Sequence, residues 1–134
     1  MIRFLFILTL LILTSCDPGV NFEKIVENNS NHNLKFYLYR SDGFGQNELI
    51  DSILIPKKSQ VVIYEGGGIG TVDEYSFCGS YIDSIASNFV DTDTLILKKD
   101  PNLLANWKYI EINKSKNGGG ECECRLYVSD SDIE

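Results

Sequence analysis

Positive charge is scarce in this chain. Twelve lysines and arginines stand against 19 aspartates and glutamates in 134 residues, a net charge of −7. Nucleic-acid binding, or docking by charge on anionic lipid headgroups, needs the opposite balance, so the composition argues against both. Histidine is scarcer still. His32 is the only one, and it sits in an asparagine-rich turn that offers a nucleophile–histidine pair no orienting scaffold. There is no internal repeat and no helical periodicity of useful length. Beyond the first residues, no apolar run approaches the roughly eighteen that a spanning helix needs. Carboxylates are plentiful. Yet Asp91 with Asp93, and Asp130 with Asp132 and Glu134, lack the ligand pattern of an EF-hand and read as a solvated turn and a solvated tail. No metal site is expected.

The exception is the beginning, MIRFLFILTLLILTSC. Arg3 is a positive start, and residues 4–13 are an apolar stretch of ten. As a helix at about 1.5 Å per residue, that stretch covers about half of a ~30 Å hydrocarbon core, so a signal peptide is the better reading than a membrane span. It ends Leu13-Thr14-Ser15-Cys16, which resembles the lipobox of bacterial lipoproteins: an aliphatic residue, two small residues, then cysteine. The resemblance implies cleavage between Ser15 and Cys16, a diacylglyceryl group on the Cys16 thiol, and acylation of the new amino group. Each buried CH₂ contributes about 0.8 kcal/mol, so two or three chains hold a protein on a membrane where one holds it only marginally. The expected organisation is a signal peptide (1–15), a lipidated N-terminus with a short linker (16–19) and one domain (20–134). From Cys16 to Val20 the chain reaches at most about 14 Å, so the domain rides close to the bilayer. Cleavage leaves 119 residues, enough for a real core, and a net charge of −8.

The rest of the chain alternates. In NLKFYLYR (33–40), Leu34, Phe36 and Leu38 share one face, and Lys35, Tyr37 and Tyr39 the other. Further strands are read at 20–28, 48–55, 60–65, 81–89, 94–99, 107–112 and 121–128. Asparagine-, proline- and glycine-rich turns separate them, and NKSKNGGG is a hairpin connection. PNLLANW (101–107) is the one expected helical turn. Eight short strands predict an all-β chain: a single antiparallel β-sandwich of immunoglobulin-like or related topology.

With Cys16 lipidated, Cys78, Cys122 and Cys124 remain, an odd number in a disulfide-permitting compartment. Cys122 and Cys124 alternate with Leu126 and Val128 on the buried face of the last strand. A core or disulfide role is therefore the main reading, with Cys78 free to bridge either one. A thiolate metal or redox site at this C-x-C strand is the alternative. EGGGIGT (65–71) follows a strand as phosphate loops do, but it lacks the G-K-[ST] ending and no helix is expected after it, so it reads as a loop.

Tyr37, Tyr39 and Tyr127 fall on outward faces, where tyrosine serves either cross-strand pairing or recognition. DSI (51–53), DSI (83–85) and DTL (93–95) resemble the Asp-Ser/Thr-aliphatic O-glycan acceptor sites of exported Bacteroidota proteins, which makes Ser52, Ser84 and Thr94 candidate acceptors. As a whole, LTSCDPG, ENNSNHNLKFYLY, DSILIPKKSQVVIYEGGG and CRLYVSDSDIE resemble the small uncharacterised lipoproteins of Bacteroidota. That resemblance implies a β-sandwich held in the cell envelope, in the outer membrane. It implies no chemistry, no cofactor and no small-molecule substrate. The functional expectation is a non-catalytic, membrane-anchored head that binds a partner, such as an envelope protein, or serves an envelope assembly. The alternative is an inhibitor or immunity lipoprotein that neutralises a toxin or protease.

Overall fold

The computed structural model describes residues 17–80 and 82–134; the expected signal peptide, cleavage pair and lipidation site at Cys16 lie outside the described residues. Among the described residues there are seven strands: β1 (Gly19–Asn28), β2 (Leu34–Ser41), β3 (Asn47–Ile55), β4 (Ser59–Ile69), β5 (Ser84–Phe89), β6 (Trp107–Lys114) and β7 (Gly120–Val128). They form two sheets, ordered β4-β1-β7-β6 and β3-β2-β5, which pack as a sandwich. The alternation dictates what meets in the middle. Phe22, Val26, Cys124 and Leu126 from the first sheet join Leu34, Phe36, Leu38 and Phe89 from the second in one buried cluster.

Two features of the topology follow from long-range pairing. The first and last strands, β1 and β7, run parallel in register from Val20↔Gly120 to Asn28↔Val128. All other pairs are antiparallel. A parallel pair needs a long connection, and here the whole intervening chain supplies it. β1 and β2 also lie in different sheets. Immunoglobulin constant-type domains keep their first two strands in one sheet, so this is a related sandwich and not that strand order.

Three expectations need correction. Residues 94–99 do not form a strand. Leu95 and Leu97 pack on the core, but the backbone joins no sheet and bonds to the C-terminal segment, through Ile96 N–H to Glu134 O (2.7 Å) and the Leu97↔Ile133 bridge. The β-branched composition was right for an extended segment, but no sheet edge is offered to it. Second, the glycines of 65–71 are mostly strand. β4 runs on to Ile69, pairing Gly66, Gly67 and Gly68 with Phe22, Asn21 and Val20. Glycine is required at Gly67, where φ is +141° and a Cβ would collide with the Val20 carbonyl. A 3-10 helix (Val72–Tyr75) does follow, closed by a capping box between Thr71 and Glu74. Third, the acidic tail is a clasp. Asp130 accepts from the backbone N–H of Asn31 (2.8 Å), Asp132 pairs with Lys99 (3.2 Å) and Glu134 with Lys98 (3.7 Å). The expected helical turn is present as a 3-10 helix (Leu104–Asn106).

At the end away from the chain's entry, the sheets are joined by Asn28. Its side chain is wholly buried, donates to the carbonyls of His32 (2.9 Å), Ile55 (3.1 Å) and Pro56 (3.2 Å), and accepts from the Ser30 N–H (3.1 Å) and hydroxyl (2.6 Å). The β3–β4 crossing between sheets is thus fastened to the end of β1.

Candidate functional site

The cysteines resolve into a bridge and a core thiol. Cys78 and Cys124 form a disulfide with Cα atoms 5.7 Å apart, spanning 46 residues. Cys122 is free and buried. Burial pushes its thiol pKa up, against the opposing effect of the nearby Tyr109 hydroxyl, which makes it a poor nucleophile. Tyr109 donates to the Val72 carbonyl at 2.8 Å. With two of the three sulfurs bonded to each other, the C-x-C strand offers one thiol. Among the described residues, no three His, Cys, Asp or Glu side chains converge as metal ligands.

The tyrosines divide between the two outer faces. Tyr37 and Tyr39 project from β2, the central strand of its sheet, because Leu34, Phe36 and Leu38 take the inner face. Tyr127 projects from β7 on the opposite outer face, so the three do not make one surface. Around the β2 pair the register is informative. Lys35, Tyr37 and Tyr39 stand opposite Leu54, Ser52 and Leu49 of β3, and opposite Asn88, Ala86 and Ser84 of β5. Leu49 and Leu54 are both about half exposed. Lys35 Nζ lies 5.2 Å from the Tyr37 ring centroid, a cation–π contact. This face is therefore a patch of two tyrosines and two leucines with small polar residues between them. Candidate acceptors Ser52 and Ser84 flank the tyrosines directly, so a glycan on either would cover the patch. Thr94 lies elsewhere, in an exposed turn bonded to Thr92 (2.8 Å).

One of the two edges of this sheet, β3, is guarded. β3 has a bulge opposite Leu38/Tyr39 and carries Asp51 at an inward-facing position, opposite Leu38. Both devices oppose pairing of another strand along β3. The hairpin tip beyond β2 exposes Phe44 almost completely, at 90%.

The other sheet presents charge. Glu65, Glu23 and Glu123 align across β4, β1 and β7 on the outer face, bordering an open depression of about 470 Å³ that Glu121 also lines. Adjacent like charges oppose sheet formation. Arg125 relieves one of them, binding Glu123 at 2.6 Å and also Glu27 at 3.2 Å.

Sequence reasoning missed Lys24. It occupies the inner face of β1 between Phe22 and Val26 and is only 4% exposed. The signal was present: in VNFEKIVEN it falls in phase with the buried residues. Its ammonium lies over the Trp107 ring, 4.1 Å from the centroid. Burial lowers its pKa from 10.5 to about 8. Between those values the unfolded chain holds the extra proton, so stability rises with pH from about 8 towards 10.5. Tyr109 works the other way. Burial first, then the neighbouring Cys122, push it from 10.0 to about 12, so the unfolded chain ionises first and stability falls in that window. Denaturant melts across this range should show greatest stability at about pH 10, and Lys24→Met should abolish the rise that begins near 8.

Comparisons with protein-family models, with curated proteins and with solved structures find no match to this chain.

Proposed function

We propose that this is a membrane-anchored bacterial lipoprotein of the cell envelope, held in the outer membrane through Cys16, whose β-sandwich head binds an envelope protein and carries out no catalysis. The observation that supports it is the outer face of β3-β2-β5: Tyr37, Tyr39, Leu49 and Leu54 lie side by side on neighbouring strands. Tyrosine rings give large contact area at low entropic cost and are enriched at binding hot spots. The short linker would hold this face within reach of neighbours on the same membrane.

A mild crosslinking pull-down of the tagged, lipidated protein from its own envelope tests the reading. One stoichiometric envelope protein should be recovered, and recovery should fall by about tenfold or more in a Tyr37→Ser/Tyr39→Ser double variant that still folds, as expected when hot-spot aromatics are lost. Equal recovery from both would sink it. A second reading, an inhibitor or immunity lipoprotein, draws on the Glu65–Glu23–Glu123 row, which would suit a basic toxin or protease. Capture that is lost in Glu23→Gln/Glu65→Gln and kept in the tyrosine variant would favour it.

A further inference from the structure

Lys24 calls for an explanation that packing does not give. A methionine there would fill similar space and keep the contact with Trp107 without the cost of burying an ammonium. Among the described residues no carboxylate comes within ion-pairing distance of it, and its ammonium rests on the indole face. Its strand neighbours are Tyr64 on β4 and Cys124 on β7, the latter closed in the disulfide.

Lys24 also lines a cavity of about 290 Å³, walled by Ser80, Ile82, Asp83, Ile85, Pro101 and Leu104. That is near the lower end of the range for small-molecule sites, about 300–1,000 Å³. The polar groups around it are engaged with the protein. Asp83 accepts from the Ser41 N–H (2.6 Å), Asn102 bonds both the N–H (2.7 Å) and the carbonyl (2.9 Å) of Ile85, and Trp107 Nε1–H donates to Pro101 O (2.8 Å). These bonds make a fixed wall and leave the amine as the spare reactive group. Asp83 is the only other ionisable side chain lining the cavity among the described residues.

We propose that the Lys24 amine is a covalent binding site for small carbonyl compounds that enter this cavity. The Nζ lone pair attacks the carbonyl carbon and gives a carbinolamine. Loss of water, its oxygen from the carbonyl and both its hydrogens from the amine nitrogen, leaves a C=N imine, with no net oxidation or reduction; the imine then takes a proton from solvent in its protonated form. The amine's desolvated setting supports this: burial lowers its pKa to about 8, so far more of the free base is present near neutral pH than for an exposed lysine. The indole face beneath would stabilise the protonated imine as it does the ammonium.

The test uses the native full chain, propionaldehyde and cyanoborohydride, whose hydride traps any imine as a stable secondary amine. Short exposures at pH 7.5 are followed by peptide mass mapping. Lys24 should be alkylated about tenfold faster than the average of the other eight lysines, with a pH midpoint near 8. Lys24→Met should remove that adduct and leave labelling elsewhere unchanged. Lys24 remaining unmodified while exposed lysines react, or reacting only as fast as the chain unfolds, would overturn the proposal.

Discussion

Replacing Cys78 and Cys124 together with alanine should lower the unfolding free energy by about 4 kcal/mol and the melting temperature by more than about 10 °C. The bridge closes a loop of 46 residues, between the end of the 3-10 helix (Val72–Tyr75) and the middle of β7. Its release frees that loop in the unfolded chain. It also unpins the segment around Cys78, which has a left-handed φ of 58°. Cys122→Ala is the control. It removes one small buried group and no cross-link, and should cost about 1 kcal/mol. Urea unfolding of the three proteins, oxidised and reduced, checks this. Only the wild type and Cys122→Ala should lose stability on reduction. A double alanine variant as stable as wild type would show that the bridge contributes nothing to the folded head.

Asn28→Ala should cost about 3 kcal/mol, an effect on the scale of losing a large core side chain. Five hydrogen bonds converge on this one amide, and three of them satisfy carbonyls, two of which belong to the β3–β4 crossing. Deleting it removes a buried donor from the Ile55 carbonyl and the acceptor that holds Ser30, while the His32 and Pro56 carbonyls keep the hydroxyls of Ser30 and Ser59. Asn28→Asp sharpens the point. An aspartate accepts but does not donate when ionised, so three carbonyls would face a buried carboxylate whose pKa is raised in the folded state. Such a group destabilises progressively as pH rises above its unfolded value, so this variant should be closer to wild type at pH 4 than at pH 7. Chemical denaturation at the two pH values distinguishes this from a simple cavity, for which the loss would be the same at both.

Acid should weaken the wild type through a different group. Burial disfavours the Asp132 carboxylate, but bonds from Ser129 and Lys99 outweigh it and hold its pKa below the ordinary value. Its contribution is therefore present above pH 4 or so and is lost as pH falls through the lowered pKa. The bond from Lys99 to the C-terminal clasp should therefore weaken as pH falls below the ordinary carboxylate range.

The strands were legible because each is local. LKFYLYRS declares its buried and exposed faces in eight residues, and CECRLYV does the same. Pairing is not local, and there the reading failed or fell silent. Nothing in VNFEKIVEN says that it lies between β4 and a parallel β7. The β4 glycines looked like a loop because glycine weakens strands in general. Here it is demanded by the close approach of the Val20 carbonyl, which only the folded chain reveals. Residues 94–99 had strand composition and no strand partner. The candidate binding face was half visible. Tyr37 and Tyr39 were placed outward correctly, but their companions Leu49 and Leu54 come from register, and the separation of Tyr127 comes from the two-sheet architecture. Lys24 and Asn28 were readable in principle as polar residues in phase with an apolar face. Whether such a residue is a satisfied anchor, as Asn28 is, or a spare reactive group, as Lys24 is, depends on neighbours distant in sequence.

The most direct test of the central claim is position-specific photocrosslinking in the native envelope. A photoreactive residue is placed at Tyr39 on one outer face and, in a separate protein, at Tyr127 on the other. The account predicts one discrete adduct with an envelope protein from position 39 and none from position 127. An adduct of equal yield from both positions, or from 127 alone, would contradict the assignment of the β3-β2-β5 face as the recognition surface.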